Sequence, residues 1–112
     1  MKGSEAEEVA LSYLQRQQLV LVTRNYRCRF GEIDLIMYDR ETLVFIEVRM
    51  RTSEKYGGAA ASITFTKRAK ILRTARYYLA ELDFESPCRF DVLLLSGSHG
   101  QEIEWLRDAF GE

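Results

Sequence analysis

Proline is almost missing from this chain of 112 residues, with one, and histidine is limited to His99. A single proline and seven glycines leave no room for a long linker, and neither an internal repeat nor a low-complexity tract is present. No apolar run approaches the roughly 18 residues that a membrane-spanning helix needs, so no membrane association is expected. The two cysteines, Cys28 and Cys88, lie far apart with no CxxC spacing and no histidine near either. That argues against a zinc site and fits reduced thiols in the cytoplasm. The start of the chain, Met1 to Glu5, turns acidic at once and lacks the apolar stretch of a secretory signal. His99 falls in a Ser-Gly-Ser-His-Gly turn and reads as a solvated loop residue. What is present is a composition of 46% hydrophobic and 29% charged residues, that of an ordinary globular protein. The length suits one domain, residues 1–112, with a single core.

The net charge of −1 conceals an uneven distribution. Residues 49–76 hold eight basic side chains (Arg49, Arg51, Lys55, Lys67, Arg68, Lys70, Arg73, Arg76) against the single acid Glu54, a net +7. Residues 77–112 hold two basic and eight acidic side chains, a net −6. A polyanion would favour the first stretch and avoid the second, although a basic helix face can also be simply solvated.

The pattern of apolar residues divides the chain into seven elements. Ser4-Glu5-Ala6-Glu7 has the form of a capping box, with Ser4 as N-cap and Glu7 at the third helical position. A helix to about Gln17 follows, with Ala6, Val9, Ala10, Tyr13 and Leu14 on one stripe. Leu19–Thr23 reads as a short strand, and Arg24–Gly31 as a polar loop. Glu32–Tyr38 and Thr42–Val48 are apolar for most of their length, as expected of strands in the middle of a sheet. Ser53–Ile63, with Gly57-Gly58 and three alanines, reads as a flexible loop. Thr66 is the expected N-cap of a helix from Lys67 to about Leu82. Its Ile71, Leu72, Ala75, Tyr78, Leu79 and Leu82 face the core, while Lys70, Arg73 and Arg76 face away and Lys67 sits at the edge. Arg89–Leu95 and Glu102–Leu106 complete the sheet. The order αβββαββ predicts a layered α/β domain.

Five charged residues interrupt strands that are otherwise apolar: Glu32, Asp34, Glu47, Arg49 and Arg51. A two-residue turn at Arg40-Glu41 pairs Asp39 with Thr42, and the same register places Asp34 opposite Glu47. Opposed side chains share a face, about 4.5–5.5 Å apart at Cβ. Two carboxylates so placed repel unless a cation lies between them. A divalent metal with oxygen ligands, Mg²⁺ or Mn²⁺, answers that need, since Mg²⁺ is commonly held by one or two carboxylates and substrate phosphate. The alternatives are plain ion pairs: Glu47 with Arg49, and Asp34 with Arg51 or Arg27. On the first helix Glu7 lies at the flank of the apolar stripe and could reach such a site, or serve only the cap. Glu8 points to solvent.

An acid, then Asp, then Glu-x-basic across a hairpin resembles the motif of the PD-(D/E)xK nucleases. The strings Asn25-Tyr26-Arg27, GEIDLIMY from Gly31, VFIEVRMR from Val44, YGGAAAS from Tyr56 and EIEWLRDAF from Glu102 look like the YraN family. The resemblance spans nearly the whole chain. It implies a restriction-endonuclease-like fold, with a mixed central sheet of about five strands, and kinship with archaeal Holliday-junction resolvases. By resemblance Asp34 and Glu47 match the metal-binding acids, with the Val48 carbonyl as a third ligand, and Glu7 matches the helix acid of the resolvases. Lys67 matches a basic residue opening the second helix. Arg51, Lys67, Lys70 and Arg73 are then expected on backbone phosphates. Ile33 replaces the motif proline, and Arg49 replaces its lysine. Arginine stays protonated, so it can stabilise phosphate charge but cannot take a proton from water.

Three functions remain open at this point. The first is a structure-selective DNA endonuclease, for which nothing in the sequence suggests base readout. The second is a nucleic-acid-binding module that has lost turnover, as Arg49 would suggest. The third is a protein-interaction domain using the basic helix. Homodimerisation would enlarge the surface available to a duplex.

Overall fold

Residues 3–51 and 63–111 are described in a computed structural model. They form α1 (Gly3–Arg16), β1 (Val20–Cys28), β2 (Gly31–Asp39), β3 (Thr42–Met50), α2 (Phe65–Ala80), β4 (Cys88–Ser96) and β5 (Glu102–Phe110). The strands make one sheet in the order β1-β2-β3-β4-β5. Only β3 and β4 are parallel, and α2 supplies the crossover that parallel neighbours require. The order αβββαββ with a mixed five-stranded sheet is as expected, and is consistent with a restriction-endonuclease-like fold.

Alternation along the strands splits the apolar side chains between two faces. Leu35, Met37, Val44, Ile46, Leu93 and Leu95 pack against Ala6, Ala10, Leu11 and Leu14 of α1. Ile36, Leu43, Phe45 and Phe90 pack against Ile71 and Ala75 of α2, with Leu72, Tyr78, Leu79 and Leu82 at the margin. Stacked rings of Phe45, Phe90 and Phe110 carry this second core across to the last strand. The central strands are thus covered on both sides, which is why β2, β3 and β4 are apolar for most of their length.

Several boundaries differ from the sequence expectation. Ser4 lies inside α1, which starts at Gly3, so the capping box is not what begins this helix. The segment Arg24–Cys28 is strand, not loop. As an edge strand, β1 tolerates polar residues because they find partners across it. Arg24 meets Glu8 of α1 at 2.6 Å, so Glu8 is exposed yet paired. Arg27 meets Glu32 of β2 at 2.9 Å, and the Tyr26 hydroxyl donates to Glu81 at 2.8 Å. A register shift between Leu21 and Thr23 and a φ of 53° at Asn25 further blur its period. The N-cap of α2 is Thr64, whose hydroxyl accepts from the Lys67 amide at 3.2 Å, not Thr66. Ile63, expected in a flexible loop, is 1% exposed and packs with Val92 and Leu94. The rest of that expected loop, with Tyr56–Ser62, lies outside the described residues. Finally, β5 continues past Leu106 to Phe110.

Among the described residues no helix is long and apolar enough to cross a membrane.

Candidate active site

The β2–β3 hairpin has the register expected from a two-residue turn at Arg40-Glu41. Asp39 pairs with Thr42, Tyr38 with Leu43, and the ladder runs on to Leu35 opposite Ile46. There the strands part, one step short of Asp34 and Glu47. The Val48 amide donates to Asp34 Oδ2 at 2.9 Å. A side chain thus replaces the backbone partner, and a cleft opens beside it. That cleft, of about 350 Å³, is lined by Glu7 and Ala6 of α1, Glu32 and Asp34 of β2, Glu47, Val48 and Arg49 of β3, and Lys67 of α2.

Glu47 is 8% exposed, on the face of β3 that also carries Leu43 and Phe45. Burial, the charge of Asp34 and a hydrogen bond with the Asp34 carboxyl push its pKa up to about 8, against the weaker pull of Lys67 and Arg49. A carboxyl so placed binds a proton at neutral pH when no metal ion competes for it. Glu7 titrates above the ordinary carboxylate range, through partial burial and then the charge of Asp34; a hydrogen bond with Asn25 and the charge of Arg24 work against this. Four acids from three elements, Glu7, Glu32, Asp34 and Glu47, therefore line one cleft.

Two basic groups face them. Lys67 Nζ lies 3.9 Å from Glu47 Oε1, and Arg49 Nε lies 3.7 Å from the same oxygen. The Arg49 Nε is buried yet donates no hydrogen bond. Leaving a buried donor open costs about 1–3 kcal/mol, and such groups recur where a ligand completes them.

Of the residues expected at this site, Asp34, Glu47, Val48, Arg49, Glu7 and Lys67 come together. Arg51 does not line the cleft; it meets Glu104 of β5 at 3.1 Å. Lys70 and Arg73 lie on the exposed side of α2. The proposed pairing of Asp34 with Arg51 or Arg27 is not seen, since both arginines have other carboxylates.

A second buried carboxylate escaped the sequence reading. Asp91 of β4 is 0% exposed and interrupts an apolar strand just as Asp34 does, which was the available signal. Its Oδ1 accepts from Arg89 Nε at 3.0 Å and from the Asp108 amide at 2.9 Å. Its Oδ2 accepts from Trp105 Nε1 at 2.9 Å. Both oxygens are used within the fold, whereas the Asp34–Glu47 pair crowds negative charge at an open cleft.

Whether the cleft suits a divalent ion is a question of its donors. Asp34, Glu47 and the Val48 carbonyl are hard oxygen donors, the class Mg²⁺ and Mn²⁺ prefer. Among the described residues no three His, Cys, Asp or Glu side chains close on one point. The set therefore fits an ion that keeps water and takes part of its shell from a substrate phosphate, not a closed structural site.

Residues 6–95 match the model of uncharacterised protein family UPF0102. A UPF0102 protein of Nitrosomonas europaea is 59% identical over 111 residues, covering 99% of this chain and 94% of the relative. One from Nitrosomonas eutropha is 60% identical over the same length and coverage. One from Nitrosospira multiformis is 59% identical over 110 residues, 98% of this chain and 92% of its own. The chain belongs to the uncharacterised family UPF0102, the YraN family that its sequence strings resemble.

Proposed function

We propose that this domain is a metal-dependent endonuclease acting on branched or otherwise structured DNA, with hydrolysis of a phosphodiester in the cleft between β2, β3 and α2. The observation that carries this reading is the pairing of a buried Glu47 with a half-buried Asp34 at the point where the hairpin ladder opens, facing an arginine Nε that donates no hydrogen bond. Asp34 and Glu47 would hold Mg²⁺ or Mn²⁺ together with the Val48 carbonyl. When bound, the ion supplies charge neutralisation at the scissile phosphate and a lowered pKa for water.

The chain's own residues do the rest. The Val48 amide donates to Asp34 Oδ2 and so orients the carboxylate beside Glu47. Arg49 Nε, already desolvated, would donate to a phosphate oxygen without breaking a hydrogen bond, giving up only its 3.7 Å approach to Glu47. Arginine cannot accept a proton at any ordinary pH. Lys67 stands beside Glu47 and supplies a second cation that can donate to a phosphate oxygen. Glu7 adds a third acid from α1. Lys70 and Arg73 would meet backbone phosphates farther out, and Arg51 would do so once released from Glu104.

Metal-dependent cleavage of flapped and four-way-junction DNA tests this. Asp34→Ala and Glu47→Ala should each abolish cleavage and leave binding in EDTA largely intact, because phosphate affinity comes from the basic residues. Arg49→Lys should retain or raise the rate. Arg49→Ala should lower it by about 10²–10³-fold, the usual loss for one such electrostatic group. The arginine at position 49 also favours a second reading, a binding module without turnover. That reading wins if the wild type cleaves no branched substrate while Arg49→Lys does.

A further inference from the structure

The β1–β2 turn is pressed against α2 at the margin of its exposed side, and the two together make a surface that the cleft chemistry does not use. Gly31 is where they touch: a Cβ there would lie 3.1 Å from Thr74 Oγ1 and 3.7 Å from Lys70 Cβ. One residue earlier, the Phe30 ring meets the Tyr77 ring edge-on, with centroids 5.9 Å apart. The Arg29 guanidinium lies over the Phe30 ring, 4.8 Å from its centroid. Tyr77 remains 42% exposed. Arg29, Lys70 and Arg73 face no carboxylate among the described residues, while Arg24 and Arg51 each meet one and Arg89 meets two. One helical turn before Lys70, Lys67 lines the cleft, so this ridge runs directly into it.

We propose that this ridge holds a single-stranded segment of nucleic acid and leads it to the cleft. Arg29, Lys70 and Arg73 take its phosphates, and the exposed ring of Tyr77 takes an unpaired base. Cations that face no described carboxylate, set around an accessible aromatic ring, are the chemistry of sequence-tolerant single-strand binding, since every base has a π-face and every nucleotide a charge. A duplex, whose bases are stacked inward, could use the cations but not the ring. The proposal rests on the nucleic-acid half of the preceding reading and not on cleavage, which makes the two separable.

The test is fluorescence anisotropy in EDTA, comparing a flapped oligonucleotide with a blunt duplex of equal length, at several salt concentrations. Lys70→Glu and Arg29→Gln should weaken binding to both and reduce the salt slope by about one for each phosphate no longer held. Tyr77→Ala should weaken the flapped substrate by about tenfold, the lower range for removal of one base stack, and the duplex hardly at all. Tyr77→Phe should restore the difference, and thermal melts will show whether any variant has lost its fold. Equal losses on both substrates for Tyr77→Ala, or an unchanged salt slope for Lys70→Glu and Arg29→Gln, would overturn the proposal. So would a wild type that binds polyglutamate but no oligonucleotide, which would make the ridge a docking face for an acidic protein. Abolished cleavage in Asp34→Ala with flap binding intact would support it, since the ridge acts without the metal site.

Discussion

At the scale of single residues, Glu47 ties stability to pH in a direction opposite to that of most carboxylates. Its pKa is raised in the folded state, to about 8 from an ordinary 4.5, so the native protein binds a proton that the unfolded chain releases. The resulting stabilisation is full at pH below about 4.5 and is lost progressively as pH rises through about 8. Other carboxylates shape the acid side of the profile, but between pH 6 and 9 Glu47 should dominate the local slope. Glu47→Gln removes this titration and keeps the shape of the side chain. In metal-free buffer its urea midpoint should therefore fall less than that of the wild type between pH 6 and 9. Mn²⁺ competes with the proton for the same oxygens, so the thermal shift it gives the wild type should grow with pH and be absent in Glu47→Gln. A wild-type midpoint that rises over that pH range would contradict this account of the pair. Destabilisation by unliganded acids is a common cost of a functional site.

At the scale of elements, the sequence revealed the central strands, the hairpin turn and the apolar faces of both helices, because each of these is set by periodic burial. Asp34 and Glu47 were legible for the same reason, as charges where the period demands apolar residues. The failures have local causes. At the start of α2, Thr64 and Thr66 carry equivalent hydroxyls, and only backbone geometry decides which one caps. Thr64 is extended, at φ −66° and ψ 160°. Thr64→Ala should cost about 1 kcal/mol in urea unfolding, and Thr66→Ala a few tenths at most; the reverse order would place the cap at Thr66 after all. On β1 the polar residues looked like loop because their partners, Glu8, Glu32 and Glu81, come from three other elements. Gly31 read as the end of that loop, but it is where the hairpin meets α2 with φ 150°. Gly31→Ala adds a Cβ against Thr74 in a conformation that L-residues avoid. It should destabilise by about 1–3 kcal/mol, and separation of the Phe30 and Tyr77 rings should be visible in the aromatic NMR shifts.

At the scale of the whole molecule, the decisive property is the separation of charge: a basic α2 with the cleft at its start, and an acidic final strand. Glu104 of that strand holds Arg51, which directly follows β3, at 3.1 Å. An exposed pair of this kind contributes little to stability, about 0–1 kcal/mol, but it withholds one cation from any polyanion approaching the cleft. Glu104→Gln should therefore raise affinity for duplex DNA at low salt, both by freeing Arg51 and by removing a negative charge from the local field. Arg51→Ala should matter little in the wild type and more in the Glu104→Gln background. A double-mutant cycle on these two positions, read by binding in EDTA, isolates the coupling. The part of the gain that comes from the field should disappear in 1 M salt, where screening acts within about 3 Å. The part that comes from Arg51 binding a phosphate directly should instead steepen the salt slope by about one. No change in either affinity or slope for Glu104→Gln would mean that Arg51 serves only to join β3 to β5, and that phosphates are met by α2 and the hairpin alone.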